Sequence, residues 1–233
     1  MKINICIPTL YGYRSNSYLP QVVNTLIKQL EGCKQEYTIT TMGRKNDLYD
    51  QFSNPKVIKK YAGGIEGIHS VNALNAEIKE MDGEDFICIY HDDLFIDYDN
   101  WPKMFVNIYS NVALKCGVLG VVSHSQSVMG YIGGNVFQAS YANGNFFVKA
   151  KYVKCGMDIN LAEECGDIDL CNEQMINYRR NYIVALPHRH YMTPYAVTFS
   201  YLKDFKDDIR KCRQYLNKKW LAKVPGNDWR KYA

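Results

Sequence analysis

Apolar residues in the first half of the chain fall into two alternating rhythms. The run "INICI" (3–7) is β-branched and closed by Pro8, which predicts a strand. Leu19, Val22, Val23, Leu26, Ile27 and Leu30 then recur at three- and four-residue spacing. With Ser17 as a capping residue and an early Pro20, they predict a helix from about 18 to 31. "YTITTM" (37–42) and "KVIKKYA" (56–62) read as further strands. Ile68, Val71, Ala73, Leu74 and Ile78 suit one face of a helix over 69–79. "FICIY" (86–90) has no polar alternation, the pattern of a strand buried on both faces in the middle of a sheet. "NWPKMFVNIY" opens another helix with Asn100 as its cap, and "CGVLGVV" (116–122) is a further buried strand.

Strand–helix alternation of this kind predicts an α/β sandwich with a largely parallel sheet, whose ligands bind at the carboxyl edge of the strands. The stretch "VMGYIGGNVFQASYANGNFFVKAKYV" is rich in glycine and aromatic residues and reads as loops and short strands shaping a pocket. A helix is expected at 168–180, a strand at 182–186, and a closing amphipathic helix over 202–221 carrying Phe205, Ile209, Cys212, Leu216 and Trp220.

With 233 residues, 47% apolar and 22% charged, the chain has the balance of an ordinary folded domain. No window approaches about 18 uninterrupted apolar residues, so no transmembrane helix is expected. The start "MKINICIPTL" reads as a first strand and not as a signal peptide. The eight cysteines form no C-x-x-C pair, and Cys6 and Cys88 sit inside apolar runs. Reduced, buried thiols in a cytosolic protein are expected, whether in its own cell or in an infected host. The net charge of +4 is uneven: residues 203–233 hold ten Lys/Arg against four Asp, leaving 18 against 20 acids elsewhere. A basic tail on a near-neutral body points to an anionic partner.

His91-Asp92-Asp93 follows the buried run 86–90 and so falls at the carboxyl edge of a central strand. Two adjacent carboxylates raise each other's pKa unless a cation compensates. A hard divalent ion shared with a diphosphate would satisfy the arrangement. So would a simple cap in which Asp92 or Asp93 starts the next turn.

Five segments in order, over about residues 3 to 192, resemble the GT-A fold glycosyltransferases, most of all inverting family 2. "ICIPTLYGY" is similar to the first strand and turn around the nucleotide base, which gives Pro8, Thr9 and Tyr11 as pocket residues. "GGIEGIHSVNALNAEI" resembles N-x-G-x-x-x-A-x-N with Glu66 for the first asparagine. "ICIYHDD" stands where the family has D-x-D, with His91 for the first aspartate and Asp93 for the last. "FFVKAKYVKCGMD" resembles the segment before the acceptor site. "CGDIDLCNEQMINYRRNYIVALPHRH" resembles G-E-D-x-D-L followed by a helix, a strand and a histidine.

The resemblance implies that Asp93 binds Mn²⁺ or Mg²⁺ and through it the donor diphosphate, UDP by default. It implies that Asp92 or His91 touches the donor ribose or sugar, and that His190, with His188 second to it, completes the metal site. Asp167 corresponds to the general base, with inversion as the outcome. Gly166 replaces the glutamate before it, so Glu164 and Asp169 are alternative bases, and "GDIDLCNE" is equally an acidic helix start. The resemblance divides the chain into a catalytic domain at 1–200 (donor half 1–97, acceptor half 98–200) and a basic helix and tail at 201–233.

A glycan or glycoconjugate is the expected acceptor. Tyr215, Trp220, Trp229 and Tyr232 among basic residues also suit DNA, as for bacteriophage enzymes that glycosylate modified bases, or an anionic membrane surface. A closing helix packed on the core accounts for Phe205, Ile209 and Leu216. The departures at His91 and Gly166 keep open a catalytically silent nucleotide-binding module.

Overall fold

The computed structural model describes residues 1–9, 11–12, 17–33, 35–62, 67–121, 128–142, 145–161, 166–191 and 205–220. Among these residues there are eleven strands: β1 Lys2–Thr9, β2 Glu36–Gly43, β3 Val57–Tyr61, β4 Phe86–Tyr90, β5 Leu94–Ile96, β6 Cys116–Gly120, β7 Val128–Gly133, β8 Val136–Ala139, β9 Asn145–Lys149, β10 Arg180–Val184 and β11 His188–His190. The α-helices among the described residues are α1 Leu19–Glu31, α2 Asp47–Gln51, α3 Gly67–Glu80, α4 Trp101–Ser110, α5 Gly166–Ile176 and α6 Phe205–Trp220. Single 3₁₀ turns lie at Val112–Leu114, Ala150–Tyr152 and Ile159–Leu161.

Nine strands form one sheet in the order β3-β2-β1-β4-β9-β6-β10-β8-β7. Seven of them run one way, and β8 and β9 run against them. The half from β3 to β4 is wholly parallel, as the alternation of strands and helices predicts. β4 lies between β1 and β9 and all five of its residues are buried.

Helices cover both faces. α1 and α4 lay Leu19, Val22, Val23, Leu26, Trp101 and Phe105 on one side of β1 and β4. Leu74 and Ile78 of α3, with Leu170 and Cys171 of α5, cover the other. Each fully buried aliphatic or aromatic side chain of this kind contributes roughly 1.5–3 kcal/mol by leaving water. Desolvation holds the Cys6 thiol up at about 12 and that of Cys88 well above its usual value, so these cysteines act as small apolar groups.

Three local expectations change. Ser17 does not cap α1: Tyr18 is the cap residue and no side chain closes that end. Asn100 precedes α4 without a side-chain cap bond. α5 lies two to four residues earlier than the periodicity suggests. It closes where Tyr178 turns left-handed (φ 59°) and Arg179 N donates to Gln174 O at 3.0 Å, so β10 begins at Arg180.

Candidate metal and donor site

At the end of β4 the chain turns through His91-Asp92-Asp93 into β5, with Leu94 N donating to His91 O at 3.3 Å. β5 pairs antiparallel with β11, setting His190 opposite Leu94, and Tyr191 N donates to Asp93 O at 3.0 Å. This two-stranded ribbon brings a distant histidine onto the motif. His190 Nε2 lies 3.2 Å from Asp93 Oδ1 and 3.2 Å from His91 Nδ1. One donor atom from each of the three residues lies within 4.8 Å of the others. The side chains of Asp93 and His190 are 9% and 7% exposed, and His190 Nδ1 is buried with no hydrogen-bond partner.

A nearly buried carboxylate facing two imidazoles, one with an orphaned nitrogen, is costly as a purely structural feature. Adjacent ligands on an ion with bonds of about 2.1–2.2 Å stand about 3 Å apart, so these separations suit one shared cation. Two imidazoles and a carboxylate suit manganese, iron, cobalt or zinc better than magnesium or calcium, which prefer oxygen. The residues present therefore fit a divalent transition ion.

Asp92 is occupied differently. Its carboxylate, buried to 5% exposure, accepts hydrogen bonds from the hydroxyls of Thr9 and Ser17, the latter at 2.6 Å. Its carbonyl accepts from Tyr18 N at 3.0 Å. Thr9 Oγ1 also accepts from Tyr11 N at 3.0 Å. One carboxylate thus ties the end of β1, the entry to α1 and the end of β4 together. Ser17, read from the sequence as a helix cap, is part of this clasp.

Pro8 and Thr9 end β1, in register with Met42 and Gly43 of β2. The Tyr11 ring packs edge-on against Phe52 at 6.4 Å, and its carbonyl accepts from Asn46 Nδ2 at 2.9 Å. Gly12 follows with φ 89°, and a Cβ there would lie 2.0 Å from Asn46 Oδ1, so the turn requires glycine. Asn46 also accepts from Tyr49 N at 3.0 Å and caps α2. Glu66 and Glu164 lie outside the described residues.

Asp167 sits in the first turn of α5, half-buried, its Oδ1 accepting from Ile168 N at 2.8 Å. α5 runs back before β10, which is parallel to β6, so its start lies at the same sheet edge as the end of β4. A Cβ on Gly166 would stand 2.9 Å from Met157 Cε, the movable end of a flexible side chain, and 3.4 Å from Leu161 O, so a side chain there requires only that the methionine shift. His188 is exposed and its Nδ1 meets Leu186 O at 2.9 Å, apart from the cluster.

The described part of the basic C-terminal segment packs inward. Cys212, Leu216 and Trp220 of α6 form a small core with Leu161. Trp220 Nε1 donates to Asp169 Oδ1 at 2.5 Å, and Lys219 Nζ donates to Asp169 at 3.0 Å and to Asp158 at 2.8 Å. Burial opposes ionisation of Asp158, but Lys219, the Asn160 N–H and the Tyr215 hydroxyl outweigh it and hold the carboxyl down at about 2. Trp220 and Lys219 are therefore committed to the fold, as is Asp169. Phe205 and Ile209 have side chains outside the described set, and so do Trp229 and Tyr232.

No protein-family model and no curated protein matches the chain in sequence. Solved structures do match in shape. TarS of S. aureus superposes with a TM-score of 0.58 at 15% identity, over 93% of this chain and 40% of that one. A shorter TarS form in complex with UDP-GlcNAc gives 0.60 at 16% identity, over 93% of this chain and 67% of that one. Drosophila β1,4-galactosyltransferase 7 with xylobiose gives 0.53 at 12% identity, over 84% and 72%. Francisella tularensis 2-C-methyl-D-erythritol 4-phosphate cytidylyltransferase gives 0.50 at 11% identity, over 86% of this chain and 99% of that one. The chain thus spans 40% of the longer TarS chain and 99% of the cytidylyltransferase. It has the GT-A fold of nucleotide-sugar glycosyltransferases, a Rossmann-like α/β sandwich. None of the described helices is long and apolar enough to cross a membrane.

Proposed function

We propose that the protein is a metal-dependent glycosyltransferase that moves a sugar from a nucleotide diphosphate, UDP by default, to a hydroxyl acceptor. The observation that carries this reading is the His91–Asp93–His190 cluster at the end of a central strand of a GT-A sheet. These three residues would hold a divalent ion, which when bound would supply positive charge for the leaving diphosphate. Asp92 keeps the end of β1 beside that cluster, where Pro8, Thr9 and Tyr11 line the base pocket and Glu66 belongs to the donor side. Asp167 takes the proton of the acceptor hydroxyl as its oxygen bonds to the anomeric carbon and the bond to the diphosphate breaks. Direct displacement inverts that centre. Residues 1–97 serve the donor and 98–200 the acceptor, a glycan or glycoconjugate.

Two findings shape the alternatives. The engagement of Trp220 and Lys219 with Asp169 removes both from any surface that could stack on DNA, which favours the glycan. The likeness to a cytidylyltransferase over nearly its whole length supports nucleotidyl transfer as a second reading.

The test is a thermal-shift series with UDP, GDP, CDP, TDP and CTP, each with and without Mn²⁺, followed by hydrolysis assays on the matching nucleotide sugars. A ligand at a hundred times its Kd adds about 2.7 kcal/mol of stability. Metal-dependent stabilisation by one nucleoside diphosphate, with sugar release lost in Asp167→Asn, supports the proposal. Stabilisation by CTP with pyrophosphate release instead supports the second reading. Binding without turnover identifies a silent module, and no shift with any nucleotide overturns all three.

A further inference from the structure

A cavity lies at the sheet edge opposite the metal cluster. β9 runs against its neighbours, so its last residue, Lys149, lies opposite Phe86, the first residue of β4, at the amino edge where β6 and β10 also begin. There a cavity of about 450 Å³ is lined by Lys115, Lys149 and Arg179 and by the rings of Tyr109, Tyr152 and Tyr178, with no acidic side chain in its wall. The five-residue β4 alone separates the two edges by roughly 16 Å.

Arg179 is held in place from below. Gln174, which is fully buried, accepts from Arg179 Nε at 2.7 Å and donates to Tyr152 O at 3.2 Å. The guanidinium lies 4.0 Å from the centre of the Tyr152 ring. Among the described residues its terminal N–H donors have no hydrogen-bond partner, and the exposed Lys115 has no acidic one. Lys149 is paired with Glu84 at 2.6 Å. An arginine fixed at Nε and stacked on a ring keeps its outer donors pre-organised for a planar or tetrahedral oxyanion.

The backbone is also unusual here. Lys115 (φ 47°) and Tyr178 (φ 59°) are the non-glycine residues with positive φ among those described, and both line this cavity. A left-handed backbone is strained at any residue with a Cβ, and such strain gathers where side chains must be aimed. Tyr178, 86% exposed, directly precedes Arg179, and Lys115 O accepts from Arg180 N at 3.0 Å.

We propose that this amino-edge cavity binds a small organic phosphate, at a site separate from the metal cluster. Arg179 and Lys115 hold the phosphate, and the tyrosine rings flank its sugar or base. The volume falls within the usual range for small-molecule sites, roughly 300–1,000 Å³. The inference does not rest on the transferase reading.

The test is calorimetric titration of the full chain, in EDTA, with ribose 5-phosphate, inorganic phosphate and ribose. Ribose 5-phosphate should bind at least tenfold more tightly than ribose. Arg179→Ala should weaken it at least tenfold, Arg179→Lys less, and Asp93→Ala should leave it unchanged. Lys115→Gly relieves the left-handed backbone while removing the ammonium, so it keeps the fold and should still weaken binding. Equal affinity for ribose and its phosphate, or no binding at millimolar ligand, overturns the proposal. So does binding that survives Arg179→Ala and Lys115→Gly but is lost in Asp93→Ala, which would put the phosphate at the metal cluster. Inorganic phosphate matching ribose 5-phosphate would overturn the organic part of the assignment.

Discussion

The neighbouring aspartates of the motif should separate cleanly under mutation. Asp92→Ala removes a buried acceptor and leaves the hydroxyls of Thr9 and Ser17 facing a small void. Hydrogen bonds to a charged group contribute about 1.5–3 kcal/mol each. Losing two, with partial recovery as the hydroxyls find each other across their 3.3 Å separation, should cost about 3 kcal/mol. For a domain of this size that lowers Tm by ~6–12 °C. Asp93→Ala removes a carboxylate that faces His190, so its effect is read against its own Tm in EDTA, as the loss of a response to the ion. With Mn²⁺, wild type and Asp92→Ala should both gain stability from the ion, and Asp93→Ala should not. Differential scanning fluorimetry of the three proteins, with EDTA and with Mn²⁺, reads both effects. An Asp92→Ala protein that melts like wild type but no longer responds to Mn²⁺ would refute the division of labour argued from the geometry.

Three further predictions follow from the same contacts. His91→Ala and His190→Ala should each weaken Mn²⁺ binding at least tenfold by calorimetry, and wild type should prefer Mn²⁺, Co²⁺ or Zn²⁺ to Mg²⁺; an Mg²⁺ preference would contradict the two-imidazole donor set. Asp158 ionises at about 2 in the folded chain against 3.8 ordinarily, so its clasp with Lys219 and Tyr215 is fully present above pH 3.8 and lost as pH falls through about 2. That shift corresponds to roughly 2 kcal/mol, and tryptophan fluorescence should report it in wild type but not in Asp158→Asn. Gly43→Ala would set a Cβ 2.5 Å from the Tyr49 ring, which is pinned through its hydroxyl to Thr41 and to Lys60 O, and should destabilise by about 1–3 kcal/mol in urea; Gly130→Ala, with nothing within 4 Å, should be neutral.

Elements with a long apolar period were legible before any coordinates. The series Leu19 to Leu30 specifies α1, and an unbroken run such as Phe86–Tyr90 can satisfy itself only between two covered faces. Polar groups that work inside the fold left no such trace. Gln29 lies outside the apolar series that marks α1, yet it is 2% exposed, donating to Ile96 O and accepting from Trp101 Nε1. α2 and the left-handed turn at Tyr178 were equally silent, because five residues carry too little periodicity and a tyrosine is an unlikely residue for positive φ.

The site itself was half legible, for a reason that lies in its construction. The motif series points to Asp93, in the turn between β4 and β5, and to His190, the last residue of β11. What no local pattern conveys is that β5 and β11, three residues each, pair with His190 opposite Leu94. That register alone sets His190 Nε2 equidistant from Asp93 and His91. A slip of one residue would turn His190 to the other face of the ribbon and present Arg189 or Tyr191 to the cluster instead. Arg189 pins the register from outside by a two-pronged pair with Asp97, at 2.9 and 3.0 Å, and by stacking over Phe95 at 5.1 Å. The histidine at position 91, where the motif it resembles has its first aspartate, then has a physical sense. Asp92 is engaged by Thr9 and Ser17, so for the cation proposed above position 91 would be the nearest source of a third ligand, and an imidazole there avoids a third carboxylate beside Asp92 and Asp93.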